Sequence, residues 1–422
     1  MTSAPSPPRD ASLDAGELAR VQRRTVWVLS GGQILGGLAF GATLSLGAVL
    51  AAEISGDEAF SGLAAAGVTL GTAALAVPLA GLARRRGRRL SLASGMAIAL
   101  VGVAVVVLAA ATASFPVLLG GFALIGAGQA ANLQTRFAAA DLATDATRAR
   151  DLSIVVWATT IGAVLGPNLT GPGEALGQAV GMPPLTGPYL ITVVAQVLGI
   201  LLYILALRPD PLLLAQRAVA SARAAGAAIA KPDVPRVARY AIFAVAAAHG
   251  VMVSVMAMTP VHLLHHGASL SIIGLTISLH IAGMYALSPL FGILADRVGR
   301  VPTILIGQVL LAAALLTASF GQDSSAVVTV ALVLLGLGWS ASTVAGSALL
   351  TEASSEDQRT RRQGRSDLIM SLVGAIGAIL AGLVLSWIGY GGLALLVGVL
   401  VIATAVLAPF GRHRTVPVAR SS

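Results

Sequence analysis

Apolar runs of about 20 residues recur along almost the whole chain, and each is long enough to cross a hydrocarbon layer of about 30 Å as a helix. Of the 422 residues 56% are hydrophobic and only 11% are charged, and the mean hydropathy is +0.87. A soluble core does not account for that balance. About twelve spans are expected, near residues 26–52, 60–82, 90–112, 116–138, 152–172, 187–207, 237–263, 269–293, 301–319, 325–350, 367–388 and 391–410. The expected class is an all-α polytopic membrane protein.

The formal charge of +9 has a topological explanation. With the N-terminus inside, one set of segments collects Arg20, Arg23 and Arg24, the run from Arg84 to Arg89, Arg148 and Arg150, a basic central stretch, Arg297 and Arg300, and Arg359 to Arg365. The segments on the other side carry Glu53, Asp57, Glu58, Glu174 and Asp323 and no Lys or Arg. This is the positive-inside pattern, so the expected partner of the charge is a lipid bilayer and not nucleic acid. It places both termini in the cytoplasm and the chain in the inner, cytoplasmic membrane of the cell. Residues 1–25 lack an apolar core and read as a cytoplasmic tail, not a cleaved signal, and residues 411–422 read as a second tail. With no Cys, disulfides and thiolate ligands are excluded.

The chain repeats itself. Gly81-Leu82-Ala83-Arg84-Arg85-Arg86-Gly87-Arg88-Arg89 follows the second span, and Gly292-Ile293-Leu294-Ala295-Asp296-Arg297-Val298-Gly299-Arg300 follows the eighth, about 212 residues later. Two six-helix units are therefore expected, 26–207 and 237–410, joined by a polar, basic linker over 208–236 lying on the membrane surface. The second loop, G-x-L-A-D-R-x-G-R, resembles the signature of the major facilitator superfamily. That resemblance covers nearly the whole chain. It implies the major facilitator fold, twelve transmembrane helices in two pseudo-symmetric bundles that rock about a central cavity, with Asp296, Arg297, Gly299 and Arg300 as a cytoplasmic gate. Arg84 stands where the family pattern has Asp, which leaves Asp296 as the one intact acidic latch.

Met and His are scarce, 8 and 6 in the chain, yet His249, Met252, Met256, Met258, His262, His265, His266, His280 and Met284 fall in one short stretch over the seventh and eighth spans. Met252 with Met256, and His280 with Met284, are four residues apart and so share a helix face. At 1.5 Å per residue Met252 lies ~18 Å and His280 ~16 Å below the outer boundary, Met256 ~12 Å and Met284 ~22 Å, a ladder across the membrane if the two helices are antiparallel neighbours. Thioether and imidazole suit Cu(I) far better than Mg²⁺ or Ca²⁺. His262, His265 and His266 would collect the ion at the mouth, and His249 and Met258 are auxiliary candidates. A purely structural reading stands beside this one: Met fills core gaps, and a buried His bonds across helices.

The Met-x-x-x-Met and His-x-x-x-Met pairs resemble those of the CcoA-like copper importers within the same superfamily. The resemblance implies copper as transported substrate, taken up for cytochrome oxidase assembly, with Met252 and His280 as the principal ligands. Neighbouring members carry riboflavin, and Gly162-Ala163-Val164-Leu165-Gly166-Pro167 with Thr170-Gly171 resembles an element of drug-exporting antiporters, so an organic cargo stays open. Trp157, Tyr285 and Trp339 are the aromatics available to stack on one. No G-x-x-x-x-G-K-[ST] loop and no nucleophile with a partner base occurs, so neither an ATP-driven pump nor an enzyme is expected, and no cofactor. A monomer is expected. Asp141, Glu352 and Asp367 lie toward cytoplasmic span ends, leaving His249 or His280 to titrate in any proton-linked cycle. Gln33, Gln129, Asn132, Gln134 and Arg136 are expected on the opposite wall of the cavity.

Overall fold

The computed structural model describes residues 15–56, 60, 62–224 and 233–412. Among them the chain is helical throughout, with no strand. Span one is α1 (Ala15–Ser55), and spans two and three form α2 (Gly62–Ala111), broken at Gly87, where φ is 88°. That backbone suits only glycine. Span four is α3 (Phe115–Ala138), span five is α4 (Arg148–Asn168) continued by α5 (Thr170–Ala179), and span six is α6 (Pro188–Ala206). A short α7 (Pro211–Ala224) leads toward span seven, α8 (Pro235–His265). Span eight is α9 (Leu270–Tyr285) and α10 (Ser288–Arg297), with Pro289 in the first turn of the second piece, where its missing N–H costs nothing. Spans nine and ten are α11 (Arg300–Phe320) and α12 (Ser325–Glu352), and spans eleven and twelve form α13 (Glu356–Val406), broken at Gly389 with φ 71°.

Leu70, Val101, Val194, Leu275, Val309, Ile379, Val399 and Ile402 are exposed around the outside. A soluble protein would not tolerate so much exposed apolar surface, whereas lipid does. Helix α1 already runs from Ala15, so the described part of the expected tail, 15–25, extends span one. Residues 1–14 and 413–422 lie outside the described residues, as does 225–232 of the expected linker.

The sequence repeat reappears as paired contacts. Arg88 meets Asp141 at 2.7 Å in the first half, and Arg300 meets Glu352 at 3.3 Å in the second. Arg148 pairs with Asp145, and Arg359 with Glu356. Gln22 donates to Asp151 at 2.8 Å, and the corresponding place in the second half holds Asp233 with Arg362 at 2.6 Å. Each couple is separated by about 212 residues, the offset of the two glycine-arginine loops. All of these pairs sit at the same end of the molecule, the arginine-rich end.

The linker is tied down at both sides. Asp210 accepts from Arg89 N at 2.7 Å beneath Gly87 and caps α7 through Leu212 N and Leu213 N. Asp233 accepts from Ser355 N and both Arg362 amino groups. Burial alone lifts the Asp233 carboxyl, but the Arg362 and Ser355 hydrogen bonds and the Arg362 charge outweigh it and hold it below its usual range. A depressed carboxylate contributes stability that is complete above its unfolded value of about 3.9 and fades as pH falls through the folded value. The amides of Val234, which donates to the Ala353 carbonyl, and of Ser355, which donates to Asp233, are therefore expected to keep their protection against exchange at neutral pH and to lose it only below about pH 4.

Candidate transport site between the halves

The two halves meet at the arginine-rich end. Several hydrogen bonds join them there. Asp296 accepts from Ala149 N at 3.1 Å and Arg150 N at 2.8 Å, the first free amides of α4, where a carboxylate also gains from the helix dipole. Arg300 donates to Asp296 at 2.6 Å and to the Asp145 carbonyl at 2.7 Å. Ser288 donates to the Ser153 carbonyl, and Arg88 reaches Gln363 at 2.6 Å. Small residues let the backbones close: Gly292 lies on Ser153 and the Ala149 carbonyl, and at the contact related by the repeat Gly364, the counterpart of Ser153, lies on Ala80 and the Ala76 carbonyl. Phe137 and Ala149 of the first half are buried among Ala241, Ala295 and Ala345 of the second. Gly299 has φ 113°, and the Arg300 guanidinium pairs with the Asp296 carboxylate at 2.6 Å. Arg297 is exposed, and so is Arg84 in the other copy.

Deeper in the interface stands a pair with no counterpart in the repeat. Arg136 of span four binds Asp367 of span eleven, both buried, with the Met370 sulfur 4.0 Å from the guanidinium and Phe137 beneath it. Arg136 Nε and Asp367 Oδ2 have no partner. Trp339 Nε1 donates to His249 Nδ1 at 3.1 Å, which leaves the proton of the neutral ring on Nε2. Tyr285 stands edge-on to Trp339, centroids 5.7 Å apart, and packs with Leu152 and Val156 of the first half. On the first half, Gln33 receives from Thr135 at 2.6 Å and donates to Thr159 at 2.8 Å. Gln129, Asn132, Thr160, Ser340 and Thr343 carry buried oxygens without partners. Gln134 is taken up within its own half by Ser91 and the Ala76 carbonyl. The ensemble is an edge-on aromatic pair bonded to His249, a buried ion pair between the halves, and a set of buried oxygens without partners, of which Gln129 lines a small space within the first half between α1, α3 and α6. It can hold a flat, polar organic molecule by stacking and hydrogen bonds.

The Met/His set is arranged differently from the expectation. Spans seven and eight are not close neighbours, because span ten lies along both. Gly283 and Gly336 are the physical reason: a side chain at Gly336 would strike the His280 carbonyl, and one at Gly283 would meet the Val333 carbonyl at 2.8 Å, so span eight seats directly on span ten. Met252 and Met284 are buried in an apolar cluster with Val255, Leu335 and Trp339, and Met256 and Met258 pack against it. His280 is fully buried, with Nδ1 2.7 Å from the Leu332 carbonyl and Nε2 unpartnered. His262 stacks on Tyr390 and binds the Gln322 carbonyl at 2.8 Å, and His266 binds the His262 carbonyl and faces Asp323 at 3.7 Å. His265 is exposed. Among the described residues no three His, Asp or Glu side chains cluster within reach of one metal ion.

Sequence reasoning assigned no role to Asp367. The available signal was Arg136, the one cation outside the inner segments, since a buried guanidinium demands a carboxylate.

The family model for the Major Facilitator Superfamily matches residues 29–269 and 240–422. The chain belongs to the major facilitator superfamily. It is 37% identical over 380 residues to the uncharacterized MFS-type transporter YddS of Bacillus subtilis strain 168, covering 88% of this chain and 87% of that one. It is 30% identical over 383 residues to the riboflavin transporter RfnT of Brucella anthropi, covering 88% and 92%. The crystal structure of the human organic anion transporter MFSD10 superposes with a TM-score of 0.71 at 17% identity, over 92% of this chain and 99% of that one, and so shares the fold. As a superfamily member the chain is a secondary transporter, a membrane carrier and not an enzyme.

Proposed function

We propose that this carrier moves an organic solute of the riboflavin kind through the interface between its halves, 26–207 and 237–410, which rock about the 208–236 linker. Its arginine-rich end and both termini would face the cytoplasm, as the charge asymmetry supports. The observation that carries the reading is the aromatic wall of Trp339 and Tyr285 with His249 beside the Arg136–Asp367 pair. A planar heterocycle stacks on such a wall, and its polar edge meets the unused donors and acceptors around it. The named cargo of a relative at 30% identity supports the same class.

A copper cargo is the second reading. It rests on the unpartnered His280 Nε2 and on two buried methionines, Met252 and Met284, among the side chains around spans seven, eight and ten. The two readings part in one experiment. Titrating riboflavin into the purified carrier and following flavin fluorescence should show saturable quenching. Trp339→Leu should weaken it about tenfold or more, and Met252→Leu should leave both it and stability nearly unchanged, because a Leu for Met exchange conserves core volume and costs under about 1.5 kcal/mol. No saturable quenching by any flavin, with tight Cu(I) binding that Met252→Leu abolishes, would replace the first reading by the second.

A further inference from the structure

A cleft of about 590 Å³ opens at the arginine-rich end, between the first turns of α1 and the start of α4. Its lining is divided by chemistry. Arg20, Arg23 and Arg150, all exposed, supply three positive heads. Val26, Trp27 and Ile154 supply an apolar side, and Trp27 is 71% exposed at the point where span one enters the membrane. The floor is already satisfied: Gln22 donates to the Ala139 carbonyl at 2.7 Å and to Asp151 at 2.8 Å, and Asp151, the one acidic residue of the lining, also receives the Arg150 side chain at 3.2 Å. The carboxylate therefore offsets little of the charge of Arg20 and Arg23. In the other half, the place corresponding to Gln22 holds Asp233 bound to Arg362.

We propose that this cleft binds an anionic phospholipid, with its phosphate against Arg20, Arg23 and Arg150 and an acyl chain along Trp27 and Ile154. Arginine is suited to a phosphate, which it engages with two parallel N–H donors. Juxtamembrane arginines attract anionic headgroups by about 1 kcal/mol each. A free phosphate would satisfy the arginines and leave the apolar side without an occupant, whereas a lipid fills both. The site also touches the gate, because Arg150 N is one of the two amides that Asp296 grips across the halves. An occupied cleft orders the start of α4 and favours the closed arginine-rich end.

The test uses Trp27 as reporter in the full chain carrying Trp157→Phe and Trp387→Phe, which removes the other two lipid-exposed tryptophans and leaves buried Trp339. Reconstituted with brominated phosphatidylglycerol in a phosphatidylcholine background, Trp27 should be quenched at much lower lipid fraction than with brominated phosphatidylcholine. Arg20→Gln with Arg23→Gln should raise the fraction needed about thirtyfold, or about fivefold per arginine, and 10 mM inorganic phosphate should leave it unchanged. Trp27→Phe should erase the quenching while native mass spectrometry still finds phosphatidylglycerol bound. Equal quenching by both lipids, persistence of the preference in the arginine variant, or displacement by inorganic phosphate would each overturn the assignment. None of these readouts depends on the cargo.

Discussion

Replacing Asp367 by Asn should leave the Arg136 guanidinium buried without its counter-charge and should cost the closed state about 3–5 kcal/mol. That is about two to nearly four decades in population, enough to move the carrier away from the conformation described above. The absence of cysteine makes the readout clean. Ser366, next in sequence to Asp367, is 1% exposed at the closed end, so Ser366→Cys should react slowly with a membrane-impermeant thiol reagent in the parent and much faster in the Asp367→Asn background. The double change Arg136→Met with Asp367→Leu separates closure from folding. Removing both charges should restore most of the thermal stability lost in the single variant, because a matched apolar pair avoids the desolvation cost. Equal labelling rates in parent and Asp367→Asn would mean that the pair does not hold the halves together.

Asp296→Ala is expected to have the second largest effect. It removes two charge-assisted bonds to α4 amides and the partner of Arg300, at roughly 1.5–3 kcal/mol for each charged hydrogen bond. Amide exchange separates this latch from the ion pair below it. Ala149 and Arg150 should lose protection by two decades or more in Asp296→Ala, whereas Arg84→Ala, at the matching but exposed position of the first half, should change stability by less than about 0.5 kcal/mol. Loss of protection in both variants would show a general loosening and not a latch at Asp296.

These expectations also show what the residues alone convey. Twelve spans and the internal repeat were legible because hydrocarbon thickness sets run length and duplication preserves spacing, so the Gly87 and Gly299 loops announce themselves. Asp296 was legible for the same reason. The relation of spans seven and eight was not: periodicity places Met252 and His280 on helix faces, but the order in which helices pack is set by contacts such as Gly283 on Gly336, between segments far apart in the chain. Asp367 reads as a boundary residue because polar turns precede it, yet α13 begins at Glu356 and carries it inside, opposite Arg136. Trp339 and Tyr285 were visible as aromatics. Their edge-on contact and the His249 bond were not, since they belong to three different spans.

The claim that an organic solute crosses between the halves is tested most directly by counterflow in proteoliposomes, which needs neither a driving ion nor a known direction. Labelled riboflavin, Cu(I) and a cationic dye are offered in parallel to the parent, Trp339→Leu, Asp367→Asn and Met252→Leu. The expected result is riboflavin-class exchange in the parent and in Met252→Leu, with loss of about tenfold or more in the other two. Exchange of Cu(I) alone, abolished by Met252→Leu and indifferent to Trp339→Leu, would contradict it.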